Sequence, residues 1–231
     1  MQFTQFILRK IIQESQDVRT FMLSLPDSSI PDFIPGNFFL LALNDGNGKR
    51  VQRAYSIASV KSEGALRFII KLKGVFTTLL WQKKEGETIE VSGPYGIFKL
   101  KDTDTERVFI GGGVGISPLR SMIIQTLSQG KKATLFQSAK TNEELVYYVE
   151  FESLSKENSL FTFYPALTRE TPSGWCGLCE RISADLIKRT IGTLEGKSYY
   201  LCGSKEMMAS VAQSLIDAGV PKENVHKEEW G

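Results

Sequence analysis

Over the first hundred residues, apolar and polar positions alternate in short runs separated by turn signals. Val18-Arg19-Thr20-Phe21-Met22-Leu23 is one run, closed by Pro26-Asp27-Ser28. A second covers 38–43 and ends in Asn44-Asp45-Gly46-Asn47-Gly48. Further runs lie at 53–58, 66–72 and 88–91, with a one- or two-turn helix around Leu79-Leu80-Trp81. Short strands repeated at this spacing predict an antiparallel barrel or sandwich.

After the polar stretch 101–106 the rhythm changes. Val108-Phe109-Ile110 is a short apolar strand, followed by glycines and then by Leu119, Met122, Ile123 and Leu127 at helical spacing, with Gly130 as the stop. Strands are expected at 133–136, 160–164 and 198–202, and helices at 142–154, 182–189 and 205–218. Strand alternating with helix predicts a parallel sheet with crossover helices. The chain therefore reads as two domains, a β domain at 1–101 and an α/β domain at 102–231.

Composition mainly excludes. A length of 231 residues, 42% hydrophobic and 23% charged, is ordinary for globular protein, and a net charge of +2 gives no reason to expect nucleic acid. No apolar run approaches the roughly 18 residues of a spanning helix, and the start Met1-Gln2-Phe3-Thr4 lacks signal-peptide features. A cytoplasmic protein without membrane insertion is expected. One histidine, His226, and three cysteines rule out most protein metal sites, so none is expected, and a plant-type iron–sulfur centre, which needs four thiolates, cannot be held by this chain alone. Any redox or group-transfer chemistry then falls to a cofactor.

The most informative stretch of the second half is Gly111-Gly112-Gly113-Val114-Gly115-Ile116-Ser117-Pro118, where a buried strand enters a glycine loop that opens a helix. Such a loop lets backbone approach a pyrophosphate, whose charge is favoured at a helix N-terminus. Ser117 is expected as the N-cap and Pro118 as the first helical residue. The loop departs from GxGxxG, and a purely structural glycine turn is the alternative. At the end of the next strand, Gln137-Ser138-Ala139-Lys140 places a lysine where an NAD-selective site would carry an acid. Lys140 is either a partner for a 2′-phosphate or a solvated surface residue.

Four motifs stand in order along the chain: Arg53-Ala54-Tyr55-Ser56, Gly74-Val75-Phe76-Thr77, the 111–118 loop, and Leu201-Cys202-Gly203-Ser204 with Met207. Together they resemble the RxYS, GxxS/T, glycine-loop and CG…M motifs of the ferredoxin-NADP reductase superfamily, from about residue 15 to the last residue. Gly93-Pro94-Tyr95-Gly96-Ile97-Phe98 is similar to its GPxGxF segment, and Glu228-Glu229-Trp230-Gly231 to its acid–aromatic terminus.

The resemblance implies a flavin-binding Greek-key β-barrel followed by a Rossmann-like NAD(P)-binding domain. It implies FAD more than FMN, and a reduced nicotinamide as donor. Arg53 would contact the flavin pyrophosphate, Tyr55 the isoalloxazine, and Ser56 the reactive N5 edge; Ala54, Lys71, Gly74, Val75, Phe76, Thr77 and Trp230 would complete the flavin site. Alternation puts Arg53 and Tyr55 on one strand face and Ser56 on the other unless a bulge intervenes. Residues 111–115, Ser117, Pro118, Gly203 and Met207 would hold the nicotinamide nucleotide, with Cys202 and Glu228 at its reactive end. A small buried strand residue is the alternative reading of Cys202. Arg169 and Arg181 fall where NADP-preferring relatives carry arginines and, with Lys140, tilt the expectation to NADPH.

The implied function is electron transfer from NAD(P)H through FAD to a separate acceptor, such as a ferredoxin, a flavodoxin or an oxygenase component, by a monomer. The alternatives are a reductase of free flavin and a non-catalytic flavin- and nucleotide-binding subunit of a larger complex. Trp175-Cys176-Gly177-Leu178-Cys179 looks like a thioredoxin active-site string. It comes late, after Thr171-Pro172-Ser173-Gly174, in what is a variable loop of the reductases, whereas thioredoxin carries the string early, directly after a strand and opening a long helix.

Overall fold

The computed structural model describes residues 2–101 and 105–229. The chain divides into two compact units, Met1–Leu100 with Arg120–Met122, and Lys101–Leu119 with Ile123–Gly231.

In the first unit, strands β1 (Thr4–Ser15), β2 (Val18–Ser24), β3 (Phe38–Asn44), β4 (Arg50–Ser56), β5 (Leu66–Lys71) and β6 (Thr88–Tyr95) form one antiparallel sheet in the order β4-β3-β6-β1-β2-β5. Just beyond β4, the Ala58 N–H donates to the Arg67 carbonyl at 2.8 Å, drawing the two edges of the sheet toward closure as a barrel. Alternate residues point inward, so Phe6, Leu8, Phe21, Leu23, Phe39, Leu41, Phe68 and Ile70 fill the interior. The short helix α1 (Val75–Gln82) packs Phe76 and Leu80 into the same core.

The twelve-residue β1 is not singled out by the alternation pattern. Its register with β2 slips between Leu8 and Lys10 and again between Gln13 and Ser15. Each irregularity resets which face a residue takes, which erases a period of two.

The second unit holds β7 (Glu106–Gly112), β8 (Ala133–Ala139), β9 (Phe161–Leu167), β10 (Lys197–Gly203) and β11 (Val225–Glu229), all parallel in the order β11-β10-β7-β8-β9. Helices α2 (Ile116–Ser128), α3 (Tyr148–Glu157), α4 (Ala184–Ile191) and α5 (Lys205–Asp217) link the strands. Ile187 of α4 and Met208, Val211 and Leu215 of α5 pack against Val108, Ile110, Tyr199 and Leu201. On β9, Phe161 and Phe163 meet Phe151 of α3 with ring centroids 6.0 and 5.6 Å apart.

The helix expected at 142–154 is broken. Asn142–Glu144 form a 3-10 turn, Tyr147 takes a left-handed conformation at φ 63°, and α3 starts only at Tyr148. Tyr147 is itself buried, so tertiary packing holds the break. The last strand, Val-His-Lys-Glu-Glu, has no apolar alternation to reveal it and forms an edge strand beside β10. His226 there lies against Tyr200 with centroids 4.8 Å apart, and burial lowers its pKa, so it packs as a neutral ring. Among the described residues no helix is long and apolar enough to cross a membrane.

Candidate functional site

In the first unit β4 and α1 bring the flavin-motif residues together. β4 pairs with β3 in unbroken register, Arg53 opposite Leu41, Tyr55 opposite Phe39 and Ser56 opposite Phe38. No bulge intervenes there, so Arg53 and Tyr55 share one face, and Ala54 and Ser56 the other. Arg53 is exposed, and its Nη1 donates to the neighbouring Gln52 carbonyl at 2.8 Å. Tyr55 is half-buried and packs on Phe76 of α1, with centroids 5.8 Å apart and planes at 35°. Burial raises the pKa of its phenol, which stays protonated. Ser56 is buried.

Gly74 is the N-cap of α1, at φ 84°, and no side chain caps the helix. The amides of Val75, Phe76 and Thr77 are therefore the donors a helix start offers to an anion. Thr77 differs from expectation. Its buried hydroxyl accepts from the Lys73 N–H at 2.7 Å and donates to the Gly74 carbonyl at 3.0 Å, so it closes the turn. Thr78, an exposed residue that the motif does not mark, also donates its hydroxyl to the Gly74 carbonyl at 3.0 Å. Lys71 is likewise committed, to Asp17 at 2.9 Å.

In the second unit the strand order reverses between β7 and β10, and a crevice at such a switch point is where open α/β sheets bind ligands. Both strands end there in motif residues. β7 runs out through Gly111-Gly112 into a 3-10 turn, Gly113–Gly115, and β10 through Cys202-Gly203 to Ser204. The loop's inner side is packed: a Cβ on Gly115 would lie 2.4 Å from the Cys202 carbonyl oxygen and 2.7 Å from Gly203 Cα. Its outer side is open among the described residues, none of which lies within 4 Å of where a Cβ on Gly113 would stand. Met207, in the first turn of α5, lies beside the loop, its Sδ 3.1 Å from a Cβ built on Gly112.

Ser117 is not the N-cap of α2. Gly115 holds that position in right-handed geometry, continuing the preceding 3-10 turn, and no side chain caps the helix. Ser117 and Pro118 both fall in the first turn, where a missing proline N–H leaves no broken bond. Ser204 does cap α5, accepting from the Met207 N–H at 3.4 Å.

Cys202 is fully buried, with burial foremost and the Glu228 carboxylate second in raising its thiol pKa. The thiol stays a neutral S–H with no exposed surface. Glu228 is level with Cys202 across the β10–β11 pair. Trp230 lies outside the described residues. Gln137, level with Gly111 on β8, belongs to no motif and looks in the sequence like a plain strand end. It is fully buried, donates Nε2 to the Val146 carbonyl at 2.8 Å, and leaves Oε1 unpartnered.

Lys140 and Arg169 are both exposed and meet at the C-terminal edge of the sheet, where the Arg169 N–H donates to the Lys140 carbonyl at 3.2 Å. Two carboxylates share this edge: Glu144 accepts from the Lys140 N–H at 3.3 Å, and Glu170 from the Asn142 N–H at 2.5 Å. Arg181 is exposed in the loop before α4.

Comparison with known proteins bears on this arrangement. Residues 5–100 match the oxidoreductase FAD-binding domain, and residues 109–213 the oxidoreductase NAD-binding domain. The chain belongs to the oxidoreductases that join an FAD-binding domain to an NAD-binding domain. This is a family of NAD(P)H-dependent FAD oxidoreductases. The F subunit of the Na(+)-translocating NADH-quinone reductase of Serratia proteamaculans is 31% identical over 231 residues, covering 90% of this chain and 57% of that protein. The Actinobacillus succinogenes counterpart is 32% identical, with 79% of this chain and 49% of that protein covered, so the chain spans about half the length of these relatives. Among solved structures, the FAD/NAD-binding domain of Vibrio cholerae nitric oxide dioxygenase has a TM-score of 0.89 at 23% identity, with 98% of each chain covered. A Neisseria gonorrhoeae ferredoxin NADP+ reductase with bound FAD and NADP has a TM-score of 0.83 at 24% identity, with 99% of each covered.

The residues present fit the two dinucleotides that these domains are known for. Each unit offers one glycine-led, side-chain-uncapped helix start, α1 after Gly74 and α2 after the 113–115 turn. Both glycines with positive φ at these starts, Gly74 and Gly113, face open space that a side chain would fill.

Proposed function

We propose that this protein passes electrons from NAD(P)H through bound FAD to a separate acceptor. The observation that carries this reading is the pair of uncapped, glycine-led helix starts, one beside Tyr55 and one at the β7–β10 switch point. FAD, when bound, would supply the two-electron redox chemistry that links a reduced nicotinamide to an acceptor. The protein's share is positioning. Arg53 would pair with the flavin pyrophosphate, and Tyr55, braced by Phe76, would offer its flat face to the isoalloxazine. The amides at the start of α1 hold phosphate oxygens, and Ala54, Val75 and Thr77 keep β4 and the turn in shape. The 111–115 loop receives the nicotinamide dinucleotide, with Ser117, Pro118, Gly203 and Met207 shaping its bed. Assignment of Ser56, Cys202 and Glu228 to the reactive ends rests on the family motifs, and Trp230 is proposed on the same ground.

Lys140, Arg169 and Arg181 favour the 2′-phosphate of NADPH, whereas Glu144 and Glu170 beside the first two oppose it. Discrimination between donors is therefore expected to be small, with kcat/KM for NADPH and NADH within about tenfold, because the two carboxylates offset much of the roughly 10- to 100-fold that a charge-assisted contact of about 1.5–3 kcal/mol would give. Arg169→Ala lowers kcat/KM for NADPH and leaves NADH unchanged; an equal fall for both donors contradicts a 2′-phosphate role.

The acceptor is of the ferredoxin, flavodoxin or oxygenase-component kind. A second reading, an electron-transfer subunit of a larger complex, is favoured by the curated relatives, which are named as parts of a multi-subunit quinone reductase. Steady-state turnover of an artificial acceptor such as ferricyanide separates the two. Turnover by the isolated chain supports the reductase; a reducible flavin without turnover supports the subunit. Flavin lost completely on gel filtration supports the free-flavin alternative instead.

A further inference from the structure

The 175–179 loop is held against β9 by its backbone. The Leu178 N–H donates to the Pro165 carbonyl at 2.8 Å, and the Leu167 N–H to the Leu178 carbonyl at 2.9 Å, a parallel bridge. The Trp175 indole folds back over the bend, its Nε1 donating to the Leu178 carbonyl at 3.2 Å. A Cβ at Gly177 would lie 2.5 Å from both the Pro165 oxygen and the indole, so only glycine lets the ring close down there. Tyr148 supports the indole, with centroids 6.0 Å apart.

This folding fixes the backbone between two cysteines while leaving both side chains at the surface. Cys176 and Cys179 are free and exposed, and the third cysteine, Cys202, is buried. The Cys176 Sγ donates to the Gly174 carbonyl at 3.4 Å and the Cys179 Sγ to the Gly177 carbonyl at 3.9 Å, weak contacts that a reacting sulfur gives up readily. No helix begins at either cysteine; the next, α4, starts at Ala184. A metal clasp is not supported, because no group of three or more His, Cys, Asp or Glu suited to a metal occurs among the described residues.

We propose that Cys176 and Cys179 form a dithiol–disulfide couple that exchanges with low-molecular-weight disulfides. One cysteine, as thiolate, attacks a sulfur of the small disulfide, forming a mixed disulfide and releasing one small thiolate. The second cysteine then attacks the protein sulfur of that mixed disulfide, closing the Cys176–Cys179 bond and releasing the other small thiolate. The two protons lost by the cysteines end on the released thiols, and two electrons pass from the protein dithiol to the small disulfide. The closed loop makes the second step intramolecular, so it outruns a second exchange with solution disulfide. The couple does not depend on flavin or nicotinamide binding.

The test uses the full chain, reduced, desalted and treated with glutathione disulfide under native conditions. Expected is the loss of both native-accessible thiols, a mass lower by two hydrogens, a peptide joining 176 to 179, and full recovery with dithiothreitol; Cys202 reacts only after denaturation. Cys176→Ser and Cys179→Ser each stop at one stable glutathione adduct. Wild type that gathers two adducts, or keeps both thiols, overturns the proposal. Nicotinamide-dependent turnover of Cys176→Ser equal to wild type places the couple outside the electron-transfer machinery; its loss identifies the thiol as part of that machinery and overturns the independence claimed here.

Discussion

Arg53 isolates the flavin-binding account most cleanly, because the residue is exposed and its guanidinium hydrogen-bonds the carbonyl of its neighbour. Removing it leaves no buried group unpaired. Arg53→Ala therefore keeps the wild-type Tm, while a lost charge-assisted contact to phosphate weakens FAD by about 1.5–3 kcal/mol, roughly 10- to 100-fold. Titration with FAD, followed by quenching of flavin fluorescence, checks it; unchanged affinity removes Arg53 from the site. The motif makes this residue visible in the sequence, since a cation two positions before an aromatic on a strand shares its face. What the motif does not reveal is how its other hydroxyls are spent. Thr77 is buried and Thr78 exposed, yet both hydroxyls donate to the Gly74 carbonyl, a use set by the turn and invisible in residue type.

The element that matters most is the glycine loop between β7 and α2. Gly115→Ala drives a Cβ into the rigid backbone of Cys202 and Gly203, and overpacking of that kind costs about 1–3 kcal/mol. A lower Tm together with weaker NADH or NADPH binding is expected. Gly113→Ala meets no neighbour but carries φ 55°, so it costs about 1–2 kcal/mol of backbone strain and blocks the open face where a pyrophosphate binds. Equal Tm and affinity in Gly115→Ala would falsify the packing account.

Glu106, at the start of β7, holds Lys197 of β10 at 2.5 Å and Lys132 at 3.3 Å. The hydrogen bond from Lys197 holds its carboxyl below the usual carboxylate value. A depressed folded pKa stabilises above the unfolded value of about 4.5, and that contribution disappears as pH falls through the folded value. Glu106→Gln thus lowers stability by about 1 kcal/mol at pH 7, a half-exposed pair being screened, and the gap closes in acid. Denaturant midpoints from pH 7 downward check this, and a gap that does not narrow as the pH falls contradicts it.

Elements with an intact pattern, such as the short run of β3, the continuously buried β10 and the amphipathic α5, are legible in the order of residues alone. Those hidden by a bulge, a left-handed residue or a polar edge, namely β1, the 142–147 break and β11, are not.

For the whole molecule, an antiparallel barrel-like unit precedes a parallel sheet whose order reverses between β7 and β10. Motif order and the change in hydrophobic rhythm give this architecture away, because the first unit is mostly short strands and the second alternates strand with helix. The sequence is silent on the acceptor, since an acceptor is recognised by surface shape and charge and not by the motifs that hold the cofactors. The central claim is that a reduced nicotinamide reduces flavin held by this chain. It is tested by the visible absorption spectrum of the purified protein with FAD supplied, before and after anaerobic addition of NADPH or NADH. The expected result is a protein-bound flavin spectrum that bleaches with at least one donor. A protein that stays colourless after FAD is added and gel-filtered away, or bound flavin that neither donor bleaches, contradicts it.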